Sequence, residues 1–410
     1  LRKLLRKMKA PGVADSVALD GRVSGQMKNP YFKGALNVRG LGHRRGSSGR
    51  LETSVEFASG TLDLSKIRAY AYRGGAFGRA RVSFYGGSFK RMYRQPQVRA
   101  NLRFEGLSLR SLTRKKMLQG RIKGGVSVRG PAKRLRGRVW VKAPRLRVKK
   151  QHYKNGQVEV SLKRGDYLLD YAGIQHTGGG RLRAWGAYRR GGGVELTAQL
   201  ERLPLSGIPG LSKVAPKTIG GDLTGNLSLS GSRSWPILAG TLSLLRAQVR
   251  GIFMGTTRIK IEPEADKSLI SGRLFHHFRL SGQIRLKPSP SVELEVAFTK
   301  FPIQKLVPEM TEVANAHGHV SGKLKVVVGA KGIRSAVASL DEVRVTMLQE
   351  SLDPLLPPEE FHIYNKKPIV LAYDGEKLRI RRFHLTGAAG DFHIKGWAST
   401  KDSDIRLRGR

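Results

Sequence analysis

The sequence predicts an all-β protein, an antiparallel sheet assembled from repeats of about 100 residues with short helical lead-ins. Three observations predict it. Apolar and polar residues alternate with period two through most of the chain. A glycine-opened block recurs four times. Fifty of the 410 residues are Gly, against roughly 7% in ordinary proteins, with no every-third period, so frequent turns are expected.

The recurring block starts at Gly21, Gly120, Gly221 and Gly318, reading GRVSGQMKNPYFKGALNV, GRIKGGVSVRGPAKRLRGRVWV, GDLTGNLSLSGSRSWPILAGTLSL and GHVSGKLKVVVGAKG. The units it defines are 1–106, 107–202, 203–300 and 301–410, the first two strongly basic. A stretch with helical spacing of apolar residues leads into three of the blocks: SLRSLTRKKML, LPLSGIPGLSKVA and FPIQKLVPEMTEVA. LRKLLRKM is the candidate lead-in for the first.

Parity within the blocks carries the sheet assignment. From Gly221, one face reads Leu223, Gly225, Leu227 and Leu229, and the other Asp222, Thr224, Asn226 and Ser228. Ile122, Gly124, Val126 and Val128 oppose Arg121, Lys123, Ser127 and Arg129 in the same way. Val320, Leu324, Val326 and Val328 oppose His319, Ser321, Lys323 and Lys325. One dry face and one wetted face are the mark of an antiparallel sheet. Val139, Val141, Leu146 and Val148, then Val292, Leu294, Val296 and Phe298, continue the pattern. Short strands bounded by Gly, Pro, Ser or Asn recur about every 8 to 12 residues.

Three architectures satisfy that parity. A string of β-sandwiches would cover the apolar face with a second sheet. A transmembrane barrel would turn it to lipid between aromatic girdles, which fits poorly with 7% aromatic residues and a net charge of +46. An elongated sheet curled into a groove would keep it inward and open.

The residues also carry a family resemblance. A Pro-Leu or Pro-Ile lead-in is followed by alternating glycines and hydrophobes, best seen at Gly231, Pro236, Leu238, Gly240, Leu242 and Leu244. A second block, 365–396, places Asn365, Pro368 and Ile369 before Asp374, Gly375, Leu378 and Leu385. It continues through Gly387, Gly390, Phe392, Ile394 and Gly396. These patterns resemble the AsmA-like and TamB family of the Gram-negative envelope, most clearly from about residue 200 onward. The resemblance implies one continuous taco-like β-groove in the periplasm, attached to the inner membrane through an anchor outside this sequence. Its implied activity is conduction of phospholipids between inner and outer membranes. An alternative within the family is assembly of outer-membrane or secreted proteins with an outer-membrane barrel partner.

On that reading the groove lining is Val126, Val128, Leu223, Leu227, Leu229, Val320, Leu324, Val326 and Val328. Arg114, Lys115, Lys116, Lys149 and Lys150 are the candidates for contact with anionic head groups, since a basic residue near an anionic leaflet gains about 1 kcal/mol. At about 12 residues per strand and turn the chain would form roughly 34 strands spaced about 4.8 Å apart. Such a trough is on the order of 160 Å long.

Charge narrows the partner classes. Lys and Arg number 76 against 30 Asp and Glu, with a pI near 11.2. The excess sits forward: residues 1–200 hold 45 basic and 10 acidic side chains, residues 201–410 hold 31 and 20. Nucleic-acid binding is the reading of a different class that this charge invites. No helix-turn-helix, zinc finger or aromatic RNA-binding strand accompanies it, and Arg and Lys alternate with Val and Leu along strands, so no nucleic acid is expected. An enzyme is not expected either. The pairs His276 with His277 and His317 with His319 lack a third ligand at recognised spacing, and neither metal nor cofactor is expected. Asp374 with Gly375 and Asn155 with Gly156 read as hairpin turns.

The chain has no Cys, which excludes disulfides, thiolate metal sites and thiol nucleophiles. No run of about 18 apolar residues occurs, so no helix of this sequence spans a membrane, and LRKLLRKMKA is too charged for a signal h-region. A start at Leu1 and alternation continuing through Ile405 and Leu407 read as a segment of a longer chain.

Overall fold

The computed structural model describes residues 16–409, except 27–28, 42–48, 87–90, 114–116, 150, 209–218, 250–251, 275–276, 306–315, 331, 350–358, 389 and 401. The chain forms two compact units, Leu1–Pro209 and Gly210–Arg410. The division falls in the third lead-in.

The first unit is an antiparallel meander of β1 (Ser16–Gln26), β2 (Asn29–Leu41), β3 (Gly49–Ala58), β4 (Thr61–Ala71), β5 (Gly74–Gly86), β6 (Arg91–Ser108), β7 (Leu118–Pro131), β8 (Arg136–Val148), β9 (Gln151–Lys163), β10 (Asp166–His176), β11 (Arg181–Tyr188) and β12 (Gly193–Pro204). Each strand pairs with the next. Three hairpins close on two residues that both have positive φ: Ser59 and Gly60, Tyr72 and Arg73, Arg164 and Gly165. That is the geometry whose twist matches the flanking strands.

The second unit begins the same way, with β13 (Ile219–Ser232), β14 (Pro236–Val249), β15 (Ile252–Glu264), β16 (Lys267–Leu274), β17 (Phe278–Arg285), β18 (Ser291–Pro302), β19 (Ala316–Gly329) and β20 (Gly332–Gln349). Beyond β20 the ladder splits. β21 (Glu359–Tyr364) pairs with the last third of β20 and β22 (Ile369–Tyr373) with its middle. β23 (Leu378–Arg382) and β24 (His384–Gly387) then share β25 (Gly390–Ala398), which pairs with β26 (Ser403–Gly409).

The fold is therefore all-β and antiparallel, as the alternation predicts. Its strands run longer than expected, mostly 10 to 14 residues, because bulges let the chain pass through irregular positions without turning. Asn155 shows this. Expected in a hairpin with Gly156, it lies within β9 at φ 55°, where the register against β10 shifts between Gly173 and Gln175. Asn tolerates the left-handed region, so the strand bulges and continues. Asp374 and Gly375 do form the β22–β23 hairpin. Asp374 Oδ1 accepts from the backbone N–H groups of Lys377 (2.8 Å) and Glu376 (3.1 Å), bonds that hold its carboxyl below the usual carboxylate range.

The recurring glycine block falls on β1, β7, β13 and β19, every sixth strand. Gly120, Gly221 and Gly318 are each the third residue of theirs. The lead-ins are short. The second contains α1 (Leu109–Thr113), and the third and fourth contain single 3-10 turns at Leu205–Gly207 and Ile303–Lys305. The first lies outside the described residues. Each of these three is preceded by a left-handed residue between two hydrophobes: Gly106 between Phe104 and Leu107, Arg202 between Leu200 and Leu203, Lys300 between Phe298 and Phe301.

Little of the protein is sealed. Few of the described hydrophobic residues are buried, among them Phe301, Val320 and Ile369.

Candidate functional site

Register places the apolar residues of successive strands directly opposite one another, and in a sheet such cross-strand neighbours touch. In the first unit, Val126 sits in a row that runs Leu102, Val126, Val139, Val160, Leu169. Val128 sits in the next row, with Ala80, Ala100, Gly137 and Leu162. In the second unit, Leu227 joins Gly240, Ile261, Ile270, Gly282, Leu294 and Val326. The adjacent row carries Leu280, Val296, Leu324, Ala338 and Leu371. Leu223 opposes Leu244, Leu229 opposes Leu238, and Val328 opposes Val292.

These faces are sealed at Ile261, Ile270 and Leu280 and half-open at most of the other positions. Val126, Val128, Leu223, Leu227, Leu229, Leu324, Val326 and Val328 are all half-buried. A second sheet packed at about 10 Å would take such residues out of water altogether. A flat, bare sheet would leave them open. Half-burial follows from long neighbours in adjacent rows and from strands bent by their bulges.

Val320 differs. It is 4% exposed and packs with Phe301, Val343 and Ile369, with the Phe278 and Phe301 rings 4.7 Å apart. Ile303 of the lead-in turn covers this cluster, so Val320 belongs to a closed end of the face. Asn365, expected as part of the family block, fastens the same end. Its Oδ1 accepts from the Val343 N–H at 2.6 Å, and its Nδ2 donates to the carbonyls of Lys367 (3.0 Å) and Asp341 (3.2 Å). The amide thereby occupies the gap where β20 changes partner from β21 to β22.

The first unit closes its lead-in end with a polar latch. The Tyr153 hydroxyl donates to the Gly207 carbonyl of the 3-10 turn, and burial raises its pKa. The ring stands edge-on to His176 at 5.3 Å. The Gly178 N–H donates to His176 Nδ1 at 3.1 Å, which leaves Nε2–H to donate to Gln151 Oε1 at 3.1 Å. Burial, and secondarily the neighbouring His152, hold the imidazole below its ordinary pKa. The spacing of His176 in the sequence gives no sign of this role.

Arg114, Lys115, Lys116 and Lys150 lie outside the described residues. Lys149 sits in the β8–β9 turn at φ 55°, its N–H donating to the Met117 carbonyl at 2.6 Å. Among the described residues a basic group lies elsewhere, at the opposite ends of these strands, where Arg81, Arg99, Arg129 and Arg136 share the wetted face. Sequence spacing could have flagged them only with the register known. His276 lies outside the described residues. His319 meets Glu342 at 3.4 Å, and no metal-binding cluster occurs among the described residues. No helix of the described residues is long and apolar enough to cross a membrane. Compared with protein-family models, curated proteins and solved structures, the chain matches none of them.

Proposed function

We propose that this protein conducts phospholipids, holding acyl chains against its aliphatic rows while the head groups stay in water. The observation that carries the reading is the apolar row from Leu227 to Val326, buried at Ile261 and Ile270 and half-buried at Leu227, Leu294 and Val326. Each methylene withdrawn from water contributes about 0.8 kcal/mol. A row that repeats similar aliphatic chemistry strand after strand offers near-equal affinity at each step, whereas one deep pocket would hold its lipid in place. The lead-in turns give the face a closed end, against which chain termini can rest. The resemblance of the glycine blocks and of 365–396 to the AsmA-like and TamB family supports the same reading. With it comes a place between the inner and outer membranes of a Gram-negative envelope. The process needs no covalent step.

Organic extraction of the purified protein is expected to release phospholipid. Leu227→Asp combined with Leu324→Arg is expected to abolish that recovery, together with transfer between donor and acceptor vesicles, while the β-sheet circular dichroism is unchanged. Wild-type protein that carries and transfers no lipid contradicts the proposal. Global unfolding of the double variant would mean that these residues form a sealed core.

A further inference from the structure

A second set of side chains converges on the other face of the first unit. Arg81, Arg99, Arg129 and Arg136 stand directly opposite one another on β5, β6, β7 and β8. They adjoin the row of Ala80, Ala100, Val128 and Gly137, so alternation turns them away from the apolar side. Cross-strand partners place their Cβ atoms about 5 Å apart. Three hairpins beside this ladder contribute Arg134, Arg164 and Arg190, and together they line a half-open hollow of ≈ 1040 Å³.

Seven guanidinium groups meet two carboxylates. Asp63 accepts from Arg81 Nε at 2.8 Å, and Asp166 Oδ1 accepts from the backbone N–H of Arg190 at 2.8 Å. Among the described residues, Arg99, Arg129 and Arg136 have no acidic partner. Like charges directly opposite in a sheet destabilise it, and here three such contacts follow in succession. An anion bound across them would remove that repulsion.

We propose that this hollow binds a ligand carrying several closely spaced phosphate groups. Guanidinium forks match phosphate oxygens in bidentate pairs. Three unpaired forks in a line call for more than one phosphate. The hairpin arginines gather beside the ladder and confine the charge to a half-open hollow instead of extending it along the sheet, which favours a compact ligand over a nucleic-acid duplex. A soluble polyphosphorylated molecule and a phosphorylated lipid head group share this chemistry. The inference does not rest on lipid conduction, since the ladder lies on the opposite face from the aliphatic rows.

The test uses the full chain at constant ionic strength, with inositol hexakisphosphate as soluble probe and inorganic sulfate as the control for screening. Calorimetry is expected to give one site and a rise in Tm that sulfate does not reproduce. Arg99→Ser with Arg129→Ser should weaken binding by at least about tenfold, because each lost charge-assisted pair is a large share of the affinity. The unliganded variant should melt no lower than wild type. Arg103→Ser with Arg121→Ser removes the same charge from the same face outside the ladder and should leave affinity within about threefold. Phosphatidylcholine vesicles with and without phosphatidylinositol bisphosphate separate the two sources. Binding to the phosphorylated vesicles alone, lost in the ladder variant, assigns the phosphates to a lipid. Equal weakening in both double variants, binding no stronger than sulfate, or tighter binding of duplex RNA that ignores the ladder substitutions would overturn the proposal.

Discussion

Leu227 and Val326 occupy one cross-strand row of the second unit, linked through directly opposed Gly240, Ile261, Ile270, Gly282 and Leu294. Their separation in sequence is bridged strand by strand, so a face that alternation defines locally becomes an apolar surface crossing seven strands. Ile261 and Ile270 in the middle are buried, whereas Leu227, Leu294 and Val326 are half-buried. The row is thus a stable floor with accessible stretches.

Truncations should separate floor from core. Phe301, 3% exposed and packed in the closed end, should cost about 3–5 kcal/mol as Phe301→Ala. Leu227→Ala leaves a half-open position that collapses or hydrates, and should cost less than half as much. Urea unfolding of the two variants measures the contrast.

Gly240 sits in the row at φ 141°, and a Cβ there would lie 2.1 Å from the Asn226 carbonyl oxygen. The β13–β14 ladder closes too tightly for any side chain. Gly240→Ala should destabilise the second unit by more than about 1 kcal/mol, with faster amide exchange in β13 and β14.

Asn365→Ala should cost about 1–3 kcal/mol, since it leaves the buried Val343 N–H without its acceptor. Asn365→Asp keeps an oxygen for that N–H but loses the Nδ2 donors to Lys367 and Asp341, and should fall between. Hydrogen exchange at Val343 distinguishes the two variants.

The His176 latch should weaken in acid. Its folded pKa lies below the ordinary value near 6.5, so the contribution is fully present above about pH 6.5 and is lost as pH falls through the folded value. Protonation at Nδ1 also removes the acceptor of the Gly178 N–H. Protection of the Gly178 amide, taken relative to its intrinsic exchange rate at each pH, should fall from about pH 6.5 toward pH 5, and His176→Gln should flatten that profile.

Alternation is a local property, so the face of each strand was legible from residues such as Leu223, Leu227, Leu324 and Val326. Asp374 with Gly375 was legible as a turn, although the two residues open a four-residue loop, 374–377, in place of the two-residue hairpin that this dipeptide commonly makes. Asn155 with Gly156 misled, because tolerance of the left-handed region serves a bulge equally well. The arginine ladder was hidden for a different reason: Arg81, Arg99, Arg129 and Arg136 become neighbours only through register, which depends on hairpin lengths and bulges summed over four strands. The bonds from Asn365 to Val343 and from His176 to Gln151 were hidden likewise, since each spans more than 20 residues.

Photocrosslinking tests the central claim most directly. A photoreactive amino acid replaces Leu227 or Leu324 on the apolar face, and Ser228 or Lys325 on the wetted face, in protein exposed to phospholipid vesicles. Lipid adducts are expected at 227 and 324 and should be absent at 228 and 325. Adducts at none of the four, or at all of them equally, would contradict an aliphatic row that carries lipid.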